Sequence, residues 1–176
     1  YRVNTNVAYP WDQGSKALSA DELKRREAWQ SRFMPSGAMV AGRVDRLHWM
    51  TFGTPETLPL LYSEQPPLMT KGRQQAVVRV GALQSDSEAT EAQTLNWSTA
   101  PRGTAVSVRM SGLLWPEAAA RIANSAYVTR ERVGKGQVIL FSGQPNFRGS
   151  TRGVGRIWLN ALVYGPGLGT SARVEL

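Results

Sequence analysis

The sequence has no cysteine and a single histidine. No disulfide framework, cysteine-type zinc site or cysteine nucleophile can be built from it. A multi-histidine metal centre is excluded too, so any metal would need carboxylates. Long apolar runs are also missing: no stretch approaches the ~18–20 apolar residues of a membrane span. No signal peptide is visible. Acids are scarce. Thirteen Asp and Glu stand against 21 Lys and Arg, a formal charge of +8.

What is present is a globular composition. The chain has 176 residues and is 41% hydrophobic, enough for one domain with a substantial core. It starts at Tyr1 without a methionine, in a run to Gly14 with no sustained period, and reads as a fragment of a longer protein. Three parts are expected: an N-terminal extension and helix over 1–33, a main domain over 34–167 and a tail over 168–176. Zero cysteine suits an extracytoplasmic protein and a cytosolic one alike.

The bases are 17 Arg and 4 Lys. Arg carries a planar fork that suits carboxylates and phosphates, and a pI near 10.4 admits nucleic acid or an anionic surface as partner. The charge is scattered, however. Lys24-Arg25-Arg26 is flanked by Asp21, Glu22 and Glu27, which reads as a solvated helix face.

Local signals place the elements. Ser19-Ala20-Asp21-Glu22 is a capping box, so a helix should run from there to about Arg32. Ala38 to Val44, Leu58 to Tyr62 and Ala76 to Val80 read as strands, with Pro59 confining the second to an edge. Leu83 to Gly103 is polar and reads as a surface insertion whose return leg touches the body through Trp97. Thr104 to Met110 is a further strand. Pro116 suits the first turn of a helix to about Asn124. Ala126 to Val133 and Gln137 to Phe141, joined by Gly134-Lys135-Gly136, form a hairpin. A loop, Gly143 to Ser150, leads to a helix from about Thr151 to Tyr164, which Gly165-Pro166-Gly167 ends. Ser171 to Leu176 is a short strand or linker.

Little of this carries chemistry. A Ser/His/Asp triad would have to use His48, and there is no Gly-x-Ser-x-Gly elbow. His48 reads as packed beside Trp49. Gly153-Val154-Gly155 lacks the Gly-Lys-Ser/Thr ending of a phosphate loop and reads as close packing of a helix on a sheet. The loop between the last strand and the last helix has better standing. Open α/β folds place ligands at the carboxyl edge of the sheet, and a helix N-terminus favours anions. Asn146, Arg148, Ser150 and Arg152 should gather there, either as a ligand site or with the arginines bracing the loop through backbone carbonyls. Of all the bases, only Arg148 and Arg152 stand where charge would serve a site.

Val133-Gly134-Lys135-Gly136-Gln137-Val138-Ile139-Leu140-Phe141, then Gln144-Pro145-Asn146-Phe147-Arg148-Gly149 and Leu159-Asn160-Ala161-Leu162, form a connected signature. It resembles the carboxy-terminal glutamine-amidotransferase-like domain of bacterial zinc carboxypeptidases of the carboxypeptidase A type. Ser111-Gly112-Leu113-Leu114-Trp115 agrees with it. So does Met34-Pro35-Ser36-Gly37 followed by Val44-Asp45, His48 and Gly53, with Trp49 where the family usually has proline. The resemblance covers Met34 to Gly165 and is most specific in the last third.

The resemblance implies an α/β, partial flavodoxin-like three-layer sandwich of the class I glutamine amidotransferase type, with a C-terminal β-hairpin and final helix. An amidotransferase needs a nucleophilic Cys, and this chain has none. The family reading is therefore a non-catalytic accessory domain of a secreted or periplasmic zinc carboxypeptidase. Its partner would be the upstream peptidase domain of the same polypeptide, which it would pack on, orient or regulate, or it would bind a cell-wall or peptide ligand at the loop after the last strand. The fragment itself would hold no cofactor and have no catalytic residue; zinc would belong to the parent's catalytic domain. A basic module for nucleic acid or glycan is the alternative. An independent enzyme holding a carboxylate or phosphate with Asn146, Arg148 and Arg152 is the third reading.

Overall fold

The structure is a computed structural model and describes residues 19–68, 70, 72–95 and 98–166. Helix α1 (Ala20–Gln30) starts at the expected capping box: the Ser19 hydroxyl accepts from the Glu22 amide, and the Glu22 carboxylate accepts from the Ser19 amide. Those bonds hold the Glu22 carboxyl below its ordinary range. A single turn, Ser31–Phe33, follows.

The centre is a sheet of six strands. Strand β1 (Ser36–Val44) pairs with β2 (Thr57–Ser63) and with β3 (Gln75–Val80). Strands β4 (Ala82–Ser85), β5 (Gln93–Leu95), β6 (Ser98–Ala100), β7 (Thr104–Ser107) and β8 (Arg109–Ser111) follow. Helix α2 (Pro116–Ile122) has Pro116 at its start, where a missing N–H costs nothing. Strands β9 (Ala126–Val133) and β10 (Gly136–Phe141) and helix α3 (Arg152–Tyr164) complete the chain. The sheet order is β10-β9-β3-β1-β2, with β8 also on β1.

The architecture is mixed α/β, with the hairpin and final helix where the sequence puts them. The layering is not the one expected. Every strand pairing among the described residues is antiparallel, whereas a flavodoxin-like sandwich needs parallel strands joined by crossover helices. Here one tight turn joins β9 to β10, in register at Val133 and Gly136. In that turn only Gly134 takes positive φ, at 57°; Gly136 does not. Glycine at the first central position is the type II′ requirement.

The polar segment after Leu83 is built rather than a bare loop. β4 pairs with β7, and β5 with β6, while Ala89 and Ala100 are buried. The expected contact of Trp97 lies outside the described residues, as do 1–18 and the tail from 167. The predicted strand Thr104 to Met110 is broken into β7 and β8 around Val108, whose carbonyl accepts from the Ala41 amide at 2.7 Å.

The core joins Val40, Leu58, Leu60, Val78, Val80, Ile122, Val128, Val154 and Ile157. Each such side chain taken from water contributes about 1.5–3 kcal/mol. Helix α3 reaches β2 because position 153 is glycine: a Cβ there would stand 3.1 Å from the Leu58 Cβ. The expected reading of Gly153 as close packing is what the contact shows.

Candidate functional site

Strand β10 ends at Phe141, and the chain is then tied down. The Ser142 amide donates to the Tyr127 carbonyl at 2.8 Å, and its hydroxyl to the Pro66 carbonyl at 2.9 Å. Gly143 lies against Tyr127, where a Cβ would collide with the phenol hydroxyl. The turn Phe147–Gly149 and the exposed residues of 146–150 lead into α3.

No hydrogen bond among the described residues links the side chains of the four predicted site residues to one another. Asn146, Arg148, Ser150 and Arg152 are all exposed. Ser150 donates its hydroxyl to the Phe147 carbonyl at 2.9 Å. The Arg148 guanidinium lies over the Phe147 ring, 5.2 Å from its centroid, and its backbone is left-handed at φ 48°. Asn146 opens the turn without a side-chain capping bond, and Arg152 is the first residue of α3, whose cap Thr151 makes none either. The carbonyl-bracing role expected for Arg148 and Arg152 has no hydrogen bond to support it among the described residues. The sheet-edge argument loses its basis as well, because β10 is the edge of an antiparallel sheet.

His48 is where the sequence puts it. It is buried, stacks on Trp49 at 5.4 Å, and caps the Trp49–Thr51 turn by accepting from the Met50 amide at Nδ1. Burial, opposed by Asp45 and aided by Arg130, lowers its pKa from 6.5. No group of three or more His, Cys, Asp or Glu among the described residues is placed to hold a metal.

The signature residues have structural partners instead. Asn160, 2% exposed, donates from Nδ2 to the Met50 carbonyl at 2.8 Å and the Phe52 carbonyl at 2.9 Å. Gln137 donates to the Gly165 carbonyl at 3.0 Å and accepts from Arg130 Nε at 2.8 Å. These bonds fasten α3 to the loop after β1 and to the hairpin.

Sequence reasoning missed one charged cluster. Arg43 on β1 and Arg79 on β3 are direct register partners. Both converge on Asn124, which is fully buried at φ 62° between α2 and β9. Arg43 donates to the Gly81 carbonyl at 2.9 Å and to Asn124 Oδ1. Arg79 donates to the Asn124 carbonyl at 2.9 Å and to the Thr70 hydroxyl at 3.0 Å. The available signal was an arginine inside each of two apolar runs, Ala41-Gly42-Arg43-Val44 and Val77-Val78-Arg79-Val80. Alternation alone does not say that the two face each other.

A scan of protein-family models and searches of curated proteins and of solved structures each found no match to this chain. No helix among the described residues is long and apolar enough to cross a membrane.

Proposed function

We propose that the chain is a non-catalytic accessory domain of a secreted or periplasmic zinc carboxypeptidase, working by docking to the upstream peptidase domain of the same polypeptide. The observation that carries this reading is the use made of the signature residues. Gln137 and Asn160 bond neighbouring backbone and side chains, tying α3 to the hairpin and to the loop after β1. A motif of that kind preserves a shape rather than a reaction.

Uncovered apolar surface supports the docking role. Helix α3 buries Val154 and Ile157 on one side but leaves Leu159, Leu162 and Val163 exposed on the other. A helix apolar on both sides suits cover on both sides. The hairpin likewise exposes Val133, Val138 and Leu140, which the register puts on one face of the sheet. The partial flavodoxin-like layering implied by the resemblance belongs to this proposal only if further layers precede Tyr1; the antiparallel sheet itself lends it no support.

The test is the sequence upstream of Tyr1 together with binding in trans. A His-x-x-Glu motif with a distant His, and a complex between that domain and this chain, are expected. An upstream region without the motif contradicts the reading. The alternative, a basic module for nucleic acid or glycan, draws on the exposed Arg148 and Arg152. It requires binding to DNA or heparin that weakens steeply with salt.

A further inference from the structure

From the pairing of Arg43 with Arg79 across β1 and β3 and their convergence on buried Asn124, we infer a binding site for a phosphate group. Like charges placed directly opposite on neighbouring strands destabilise a sheet. These two are also half-buried. Among the described residues, no carboxylate forms an ion pair with Arg43 or Arg79. Burial, and for Arg43 the neighbouring Arg79 charge, depress both below the ordinary guanidinium range.

The hydrogen-bond inventory is donor-rich. Each guanidinium has five N–H donors. Two from each are engaged, all with uncharged oxygens. Asn124 adds an unpartnered amide: its Oδ1 is held by Arg43, while Nδ2 is buried without a hydrogen-bond partner. Two positive charges and several donors lie together with no anion beside them among the described residues.

The charge count selects the ligand class. A phosphate group carries about −1.5 to −2 at pH 7 and offers several acceptor oxygens to guanidinium forks. A single carboxylate would balance one arginine and leave the other uncompensated. The two arginines are half-buried, whereas Arg148 and Arg152 at the loop are exposed to water.

The experiment titrates the whole chain with inorganic phosphate, glycerol phosphate and acetate, using sodium chloride at equal ionic strength as reference. Calorimetry and thermal unfolding give the affinity. NMR of the arginine Nε–H groups gives the location without any substitution. Phosphate is expected to bind at one site, to raise the midpoint above the chloride reference and to shift the Arg43 and Arg79 signals. Arg79→Gln is expected to weaken binding about tenfold or more. Equal response to glycerol phosphate would identify a phosphomonoester as an acceptable source, and response to inorganic phosphate alone would identify the free ion. No phosphate-specific binding, an equal effect of acetate, or shifts confined to Arg148 and Arg152 would each overturn the assignment. Should Arg79→Gln fail to fold, the wild-type signals still decide.

Discussion

The Asn160 side chain donates to the backbone carbonyl of Met50 at 2.8 Å, joining residues 110 positions apart in the sequence. Met50 is fully buried and Asn160 nearly so. The amide satisfies a second carbonyl, that of Phe52. It therefore fastens the last helix to the turn that follows β1. Replacing Asn160 by Ala leaves both carbonyls unpaired next to the core. The expected loss is about 2–4 kcal/mol, read as a lower urea midpoint at constant m-value. Asn160→Asp should also destabilise, since a carboxylate repels the same carbonyls.

The two glycines at the start of α3 should respond in opposite directions. A Cβ at Gly155 meets only the Pro145 carbonyl at 3.7 Å, which is ordinary contact. Gly155→Ala then gains helix propensity and is expected to stabilise by about 0.5–1 kcal/mol. Gly153 faces Leu58 with a Cβ position 3.1 Å away. Gly153→Val should cost about 1–3 kcal/mol through overpacking. Equal effects at the two positions would mean that α3 does not lie on β2 in this way.

His48 gives the fold a pH dependence. Its pKa falls below 6.5 in the folded state because burial disfavours the imidazolium. The unfolded chain therefore takes up a proton first as pH drops. Stability should decline from about pH 6.5 down to the folded-state pKa and be unaffected by this group above that window. His48→Asn keeps an acceptor for the Met50 amide but does not titrate. Urea midpoints measured through this range should slope less in the variant than in the wild type.

Arg148 tests whether the loop is strained or merely exposed. Its left-handed backbone costs about 1–2 kcal/mol for a side chain other than glycine, and its contact with Phe147 returns about 0.5–1 kcal/mol. Arg148→Gly should therefore leave stability unchanged or raise it by up to about 1 kcal/mol. A large loss on denaturant titration would show a bracing role that its present contacts do not supply.

The local chemistry of the fold was legible. The Ser19–Glu22 box, Pro116 at the head of α2 and the glycine turn of the hairpin each depend on a few neighbouring residues. Strand pairing depends on distant partners, and here the parallel expectation failed. β1 accepts β2, β3 and β8, with register shifts on the first and last that no local pattern announces. The same reason hid Arg43 and Arg79: each is unremarked in its own strand, and only the register sets them opposite. At the predicted loop, Ser150 turns back on Phe147 and Arg148 lies on its ring, contacts set by the local turn rather than by residue type.

As the proposed accessory domain, the chain preserves a shape and performs no peptidase chemistry of its own. The most direct measurement is zinc content by atomic absorption combined with carboxypeptidase turnover on the purified 176-residue chain. Substoichiometric zinc and no turnover are expected, with both present only when an upstream catalytic domain is joined. One zinc per chain, or turnover by the chain alone, would contradict it.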